Sequence, residues 1–157
     1  MKSIRMQGVL VLVHGIGVLV LGQLGSGKSA AALNLMLRGH HLVSDDLVEI
    51  FSDPLGKLMG GAVEEHVRIE VRGLGIYRAG SLFPNGTVKT APIDFAVELV
   101  EYDPALDLGR TSPETAEMRI LETTLFKVRV PVTSGTDSAL LIELLARAFK
   151  HNGTVTP

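Results

Sequence analysis

Eight consecutive residues carry the most specific chemistry in the chain: Gly22-Gln23-Leu24-Gly25-Ser26-Gly27-Lys28-Ser29. Their spacing, Gly22-x-x-x-x-Gly27-Lys28-Ser29, is the full Walker A pattern. Glycines let successive backbone N–H groups turn inward around phosphate oxygens. A helix opening at the end of the loop adds the positive end of its dipole. Lys28 would then reach the β- and γ-phosphates and Ser29 would ligate Mg²⁺, so ATP with Mg²⁺ is the implied cofactor. The competing reading is a glycine-rich turn that binds nothing. It is disfavoured because the loop follows an apolar strand and opens a helix, the context the motif requires.

A phosphate site also needs acids. Asp45 and Asp46 are adjacent and follow the short apolar stretch His41-Leu42-Val43-Ser44. Two neighbouring carboxylates are costly to hold together without a cation or a proton. Next to a phosphate loop, at the C-terminal edge of a strand, one can serve Mg²⁺ while the other accepts a proton from an attacking hydroxyl. A solvated loop pair is the alternative. His14, His40, His41 and His66 show no metal-ligand spacing and read as solvated or turn histidines.

These groups need elements to position them. Val9–Val13 and residues 18–21 read as two strands joined by a His-Gly-Ile-Gly turn. A helix over residues 29–38 follows the loop, apolar at Leu33, Leu35, Met36 and Leu37 and so covered on most sides, with Gly39 just past its end. Residues 41–44 then form a strand. Strand, loop, helix, strand is a βαβ unit and implies parallel pairing. Pro54, Gly56, Gly60 and Gly61 make residues 47–66 loops with at most a short edge hairpin. Residues 67–71 read as a strand. On it, Glu70 and Arg72 alternate to one face, as a joint site needs, although an ordinary surface ion pair has the same spacing.

Residues 81–92 read as loop with a helical turn, residues 94–102 as a strand with Phe95, Val97 and Leu99 on one face, and residues 103–114 as loop. Residues 118–122 and 125–132 are two further strands. A last helix over residues 138–150, capped by Thr136 or Asp137, would bury Leu140, Leu141, Leu144 and Leu145. The polar tail 151–157 is expected to fray. One α/β domain over residues 1–150 results.

Composition narrows the function. The chain has 157 residues, formal net charge −2, 46% hydrophobic residues and only 4% aromatics, so the core is aliphatic. Mean hydropathy is +0.31. No basic field exists for nucleic acid. There is no cysteine, hence no disulfide, thiolate nucleophile or cysteine zinc site, which fits a reducing cytoplasm. Lys2 and Arg5 before the apolar stretch 9–21 imitate a secretory signal. His14, Gly15 and Gly17 interrupt it, and it is too short for a membrane span of roughly 20 apolar residues.

The residues also carry a resemblance. The loop, followed by Arg38-Gly39-His40-His41-Leu42-Val43-Ser44-Asp45-Asp46, resembles the phosphate-loop block of the HPr kinase/phosphorylase catalytic domain, with the same spacing from Lys28 to the Asp pair. Glu70-Val71-Arg72-Gly73-Leu74-Gly75-Ile76 is similar to that family's second signature. Gln7-Gly8-Val9-Leu10-Val11 echoes its opening block, and Val130-Pro131-Val132-Thr133-Ser134-Gly135-Thr136-Asp137 echoes a late one. The similarity covers nearly the whole chain and looks like a short form without the longer members' N-terminal domain.

It implies a P-loop kinase domain of the PEP-carboxykinase-like type, with a mixed, largely β-rich sheet. It implies a Mg-ATP-dependent serine kinase acting on HPr or a similar small phosphocarrier protein, with or without the reverse phosphorolysis, as a cytoplasmic homohexamer. It further implies that residues 22–29 bind ATP, with Lys28 on the phosphates. Asp46 would be the base for the seryl proton, Arg72 would stabilise phosphoryl charge, and Ser29, Asp45 and Glu70 would hold Mg²⁺.

Four positions depart from the family pattern: Gln7, Ala30, Pro104 and Thr136, the last three replacing an acid and two basic residues. A nucleotide-binding regulatory module without transfer activity therefore stands as a second reading. A small-molecule kinase or nucleotide phosphohydrolase using the same loop is a third.

Overall fold

The computed structural model describes residues 2–156. Strand β1 (Ser3–Gln7) passes through Gly8 into β2 (Val9–Val13), and the chain turns at His14-Gly15 into β3 (Ile16–Gly22). The phosphate loop leads into α1 (Lys28–Leu37), followed by β4 (His41–Ser44), β5 (Leu47–Ser52), β6 (Leu58–Ala62), β7 (Arg68–Val71) and β8 (Gly75–Arg78). The one-turn helix α2 (Ala79–Leu82), β9 (Thr90–Pro92), β10 (Phe95–Glu101), the one-turn helix α3 (Pro104–Asp107), β11 (Glu114–Ile120), β12 (Thr123–Val132) and α4 (Ser138–Asn152) complete the chain.

The central sheet has the order β11-β12-β10-β3-β2-β4. It is mixed: β10 runs parallel to β3 and β12, while β2 is antiparallel to both neighbours and β11 to β12. The helices α1 and α4 pack on one face, around Val11, Val18, Val20, Val97, Leu35 and Ile142. The other face carries Leu10, Leu19 and Ala96, which pack on Val48, Ile50 and Leu58 of a second, antiparallel sheet ordered β1-β5-β6-β9. Strands β2 and β3 are thus covered on both sides, which is why they read as nearly unbroken apolar runs rather than as alternating ones. No helix among the described residues is long and apolar enough to cross a membrane.

Several expectations need correction. Strands β3 and β4 run the same way but do not pair, because β2 lies between them and bonds to both. Residues 47–66 are mostly strand: β5 and β6 form a hairpin in the interior of the second sheet, not at an edge. Gly60 belongs there because a Cβ would lie 2.5 Å from Leu10 Cδ2, so the residue lets the two sheets close on each other. Helix α1 begins at Lys28 and leaves Leu37 exposed. Residue Arg72 lies in the tight turn after β7, off the strand. Strand β11 starts at Glu114, and residues 103–114 include the α3 turn.

At the C-terminus, the Asp137 carboxylate accepts from Leu140 N at 3.0 Å and caps α4. The buried stripe of α4 is Ala139, Ile142 and Ala146, flanked by half-buried Leu141, Leu145 and Phe149, whereas Leu140 and Leu144 are exposed. The helix continues to Asn152, and Val155 beyond it is only 3% exposed, packed in the core, so the polar tail is anchored rather than loose.

Candidate active site

Strands β3, β4, β10 and β12 share one direction, so their C-terminal ends lie along one edge of the central sheet, where ligands of open α/β sheets bind. The phosphate loop leaves β3 at this edge. Gly22, at φ 148°, opens it; a Cβ there would lie 2.5 Å from Ser26 Oγ and 2.7 Å from Leu99 O of β10, so only glycine fits. Ser26 N donates to Gln23 O at 3.0 Å, closing the turn, and Ala31 N donates to Gly27 O at 2.9 Å, the first bond of α1. Gln23, Leu24 and Gly25 form the exposed crest of the loop. No acid stands in the first turn of α1 to compete for its N-terminal N–H groups. The Ser26 hydroxyl is buried with no hydrogen-bond partner among the described residues.

Lys28 Nζ donates to Gly22 O at 2.6 Å and to Gln23 O at 3.0 Å, holding the ammonium on the loop. Ser29 Oγ donates to Asp45 Oδ1 at 2.8 Å, joining the helix start to the end of β4. Burial pushes the Asp45 carboxyl above the usual range; the Ser29 bond opposes this and the neighbouring Asp46 carboxylate reinforces it.

The Asp pair occupies a corner. Strands β1 and β2 are one extended run that leaves the second sheet and enters the central one at Gly8. Strands β4 and β5 make the reverse crossing at Asp45-Asp46. The two crossings are clamped where Gly8 N donates to Asp46 O at 2.9 Å. Asp46 holds the left-handed conformation, φ 72°, which Asp tolerates better than most residues, and its side chain is exposed.

The structure brings Lys28, Ser29, Asp45 and Asp46 together. Glu70 and Arg72 stand apart: both are exposed on the β7–β8 hairpin, and neither makes a side-chain hydrogen bond or ion pair among the described residues. Glu70 does not join Asp45 and Asp46 in a ready three-ligand set. Hairpin and loop are connected through α1, against which β7 packs.

Two polar clusters escaped the sequence reading. Asp107 pairs with Arg129 through both guanidinium Nη atoms, and its side chain is 1% exposed. Glu143 accepts from Arg38 Nε at 2.9 Å and lies 2.9 Å from His40 Nε2, with His14 beside them. Arg38 and His40 hold the Glu143 carboxyl down at about 2. Sequence separations of 22 in the first cluster and 103 in the second left no local signal to find them.

The chain matches the family described as HPr Serine kinase C-terminal domain over residues 1–156. It belongs to that family. Among curated relatives it is 43% identical over 146 residues to the HPr kinase/phosphorylase of Geobacillus sp. (strain WCH70), covering 91% of this chain and 47% of the relative. It is 41% identical, with the same coverage, to that of Bacillus pumilus (strain SAFR-032). The chain thus spans about half the length of the curated relatives it matches. The solved HPr(Ser) kinase/phosphatase from Coxiella burnetii superposes with a TM-score of 0.85 at 27% identity, over 96% of this chain and 92% of that one. The mixed α/β architecture is therefore that of an HPr serine kinase C-terminal domain.

Proposed function

We propose that this domain is the phosphoryl-transfer unit of a Mg-ATP-dependent protein serine kinase whose acceptor is a serine of HPr or a similar small phosphocarrier protein. The observation that carries the reading is the Ser29–Asp45 bond at the head of a phosphate loop, in a chain of this family.

The donor set fits Mg²⁺. Octahedral bonds of about 2.0–2.1 Å place adjacent ligand oxygens roughly 2.9 Å apart. The hydroxyl and carboxylate oxygens stand 2.8 Å apart. Mg²⁺ and ATP would supply charge neutralisation and the transferable phosphoryl group. The protein's own residues do the rest. The loop N–H groups and Lys28 bind and orient the phosphates, with Lys28 exchanging its two carbonyl partners for them. Asp46, exposed beside Asp45, takes the seryl proton on a carboxylate oxygen as the hydroxyl attacks. Glu70 and Arg72 are assigned to the same reaction from the hairpin, Glu70 toward the metal and Arg72 toward phosphoryl charge. Their exposure leaves both free to do so.

This reading includes a cytoplasmic location, where ATP and phosphocarrier meet, and self-association, as a hexamer in keeping with the resemblance. Exposed Leu106, Leu108, Leu140 and Leu144 support association, which light scattering would measure.

A regulatory nucleotide-binding module is the second reading. One observation favours it: Thr136 Oγ1 accepts from Thr133 N at 2.9 Å and is taken up in the turn before α4, where the family pattern has a basic residue. Incubation with labelled ATP and purified HPr tests both. Label on a carrier serine, lost in Lys28→Ala, supports the kinase. Nucleotide binding with no transfer supports the module, and label in a metabolite or free phosphate supports the small-molecule alternatives.

A further inference from the structure

We propose that His14, His40 and Glu143 form a binding site for one divalent transition-metal ion of the zinc class, separate from the phosphate loop. Sequence spacing gave no hint of it, because the three residues come from the β2–β3 turn, the segment after α1 and the middle of α4. Folding brings one ligand atom of each within 4.8 Å of the others, and among the described residues no other trio of His, Asp or Glu does so.

The second observation is the state of His14. Its Nε2 is buried and has no hydrogen-bond partner among the described residues. Its ring meets the His40 ring edge to face, with centroids 4.7 Å apart. A buried ring nitrogen without a partner is costly, and such an atom calls for an explanation. A cation at the centre of the trio supplies one.

The donor chemistry selects the ion. Two imidazoles and one carboxylate are a zinc set with an open fourth position for water. Imidazole donors disfavour Mg²⁺ and Ca²⁺, which prefer all-oxygen shells. Tetrahedral bonds of about 2.1 Å put ligand atoms about 3.4 Å apart, so no separation within the trio needs to change by more than ~1.4 Å. The Glu143 carboxylate is already oriented by Arg38, the supporting contact a metal-bound carboxylate usually has. Binding replaces the His40–Glu143 hydrogen bond and releases any proton it holds. Arg38, and Arg147 at 3.8 Å from Glu143 Oε1, oppose a dication and moderate its affinity. The bound ion would tie the β2–β3 turn to both helices on that face.

Metal-free, untagged protein titrated with Zn²⁺ tests this, with Asp45→Asn as background so that the phosphate-loop acids do not contribute. The expected result is one equivalent bound, with Kd raised at least ~tenfold when His14→Ala is added, and a tetrahedral visible spectrum with Co²⁺ that the added substitution abolishes. NMR of the imidazole rings, which needs no variant at this site, should show Zn²⁺ shifting His14 and His40 together. Unchanged Zn²⁺ affinity on adding His14→Ala, or ring shifts confined to other histidines, would overturn the proposal.

Discussion

Ser29 Oγ and Asp45 Oδ1 lie 2.8 Å apart, one at the first turn of α1 and the other just beyond β4. Sixteen residues separate them, and the contact exists because β4 emerges at the same sheet edge as the loop. The carboxylate is half-buried, and that burial, reinforced by the neighbouring Asp46 carboxylate, pushes its pKa up against the Ser29 bond. A divalent cation between the two oxygens would relieve that.

Asp45→Asn should therefore weaken the metal dependence of nucleotide binding. We expect the Mg²⁺ concentration for half-maximal ATP binding to rise roughly tenfold, about 1.4 kcal/mol, with metal-free ATP binding little changed. Calorimetry at several Mg²⁺ concentrations would measure it. A variant with wild-type Mg²⁺ dependence would remove Asp45 from the metal site.

Asp46→Asn should separate binding from chemistry. Asn tolerates the left-handed backbone at this corner as well as Asp does, so the clamp between Gly8 N and Asp46 O survives. Mg-ATP affinity should stay within roughly tenfold, while transfer to the carrier serine falls at least ~10²-fold, the usual scale for a lost general base. Full transfer activity in the variant would exclude Asp46 as the base.

Gly22→Ala should damage the loop more than a methyl group normally would. The added carbon meets Ser26 Oγ and the Leu99 carbonyl, and the residue already sits at φ 148°. Nucleotide binding should be lost together with a lower Tm, whereas Gly25→Ala, with open space around it, should lose less of both. Equal effects of the two substitutions would contradict the close packing of β10 behind the loop.

The Asp107–Arg129 pair sets an acid limit on stability. The guanidinium, followed by the Asp103 N–H, holds the Asp107 carboxyl below its ordinary value of 3.8. A group whose pKa is lower in the folded state contributes stability above its unfolded pKa, and loses it as pH falls through the folded value. Asp107→Asn should lower Tm at pH ~7, and the gap from wild type should narrow below pH ~4 as the wild-type carboxyl takes up its proton. Thermal melts across that range would decide; a gap that stays constant down to pH ~3 would show that the pair contributes nothing through its charge.

Local order determined what the sequence alone revealed. The loop from Gly22 to Ser29, the helix after it, the strand just before Asp45 and a cap at Thr136 or Asp137 all rest on contacts within a few residues, so composition and spacing suffice to read them. The tertiary structure decided whatever depends on distant partners. Nothing in residues 47–62 declares that β5 and β6 form a second sheet, because their burial comes from Leu10 and Leu19 across the layer. Leu140 and Leu144 belong to an apolar run, yet α4 packs on the sheet through Ala139, Ile142 and Ala146 and leaves those two leucines exposed. Arg72 seemed to share a strand face with Glu70, but the chain turns one residue too soon for that. The histidines read as turn residues because spacing along the chain is a local signature, and the side chains of His14, His40 and Glu143 meet only when a turn, the segment after one helix and the middle of another converge on one point.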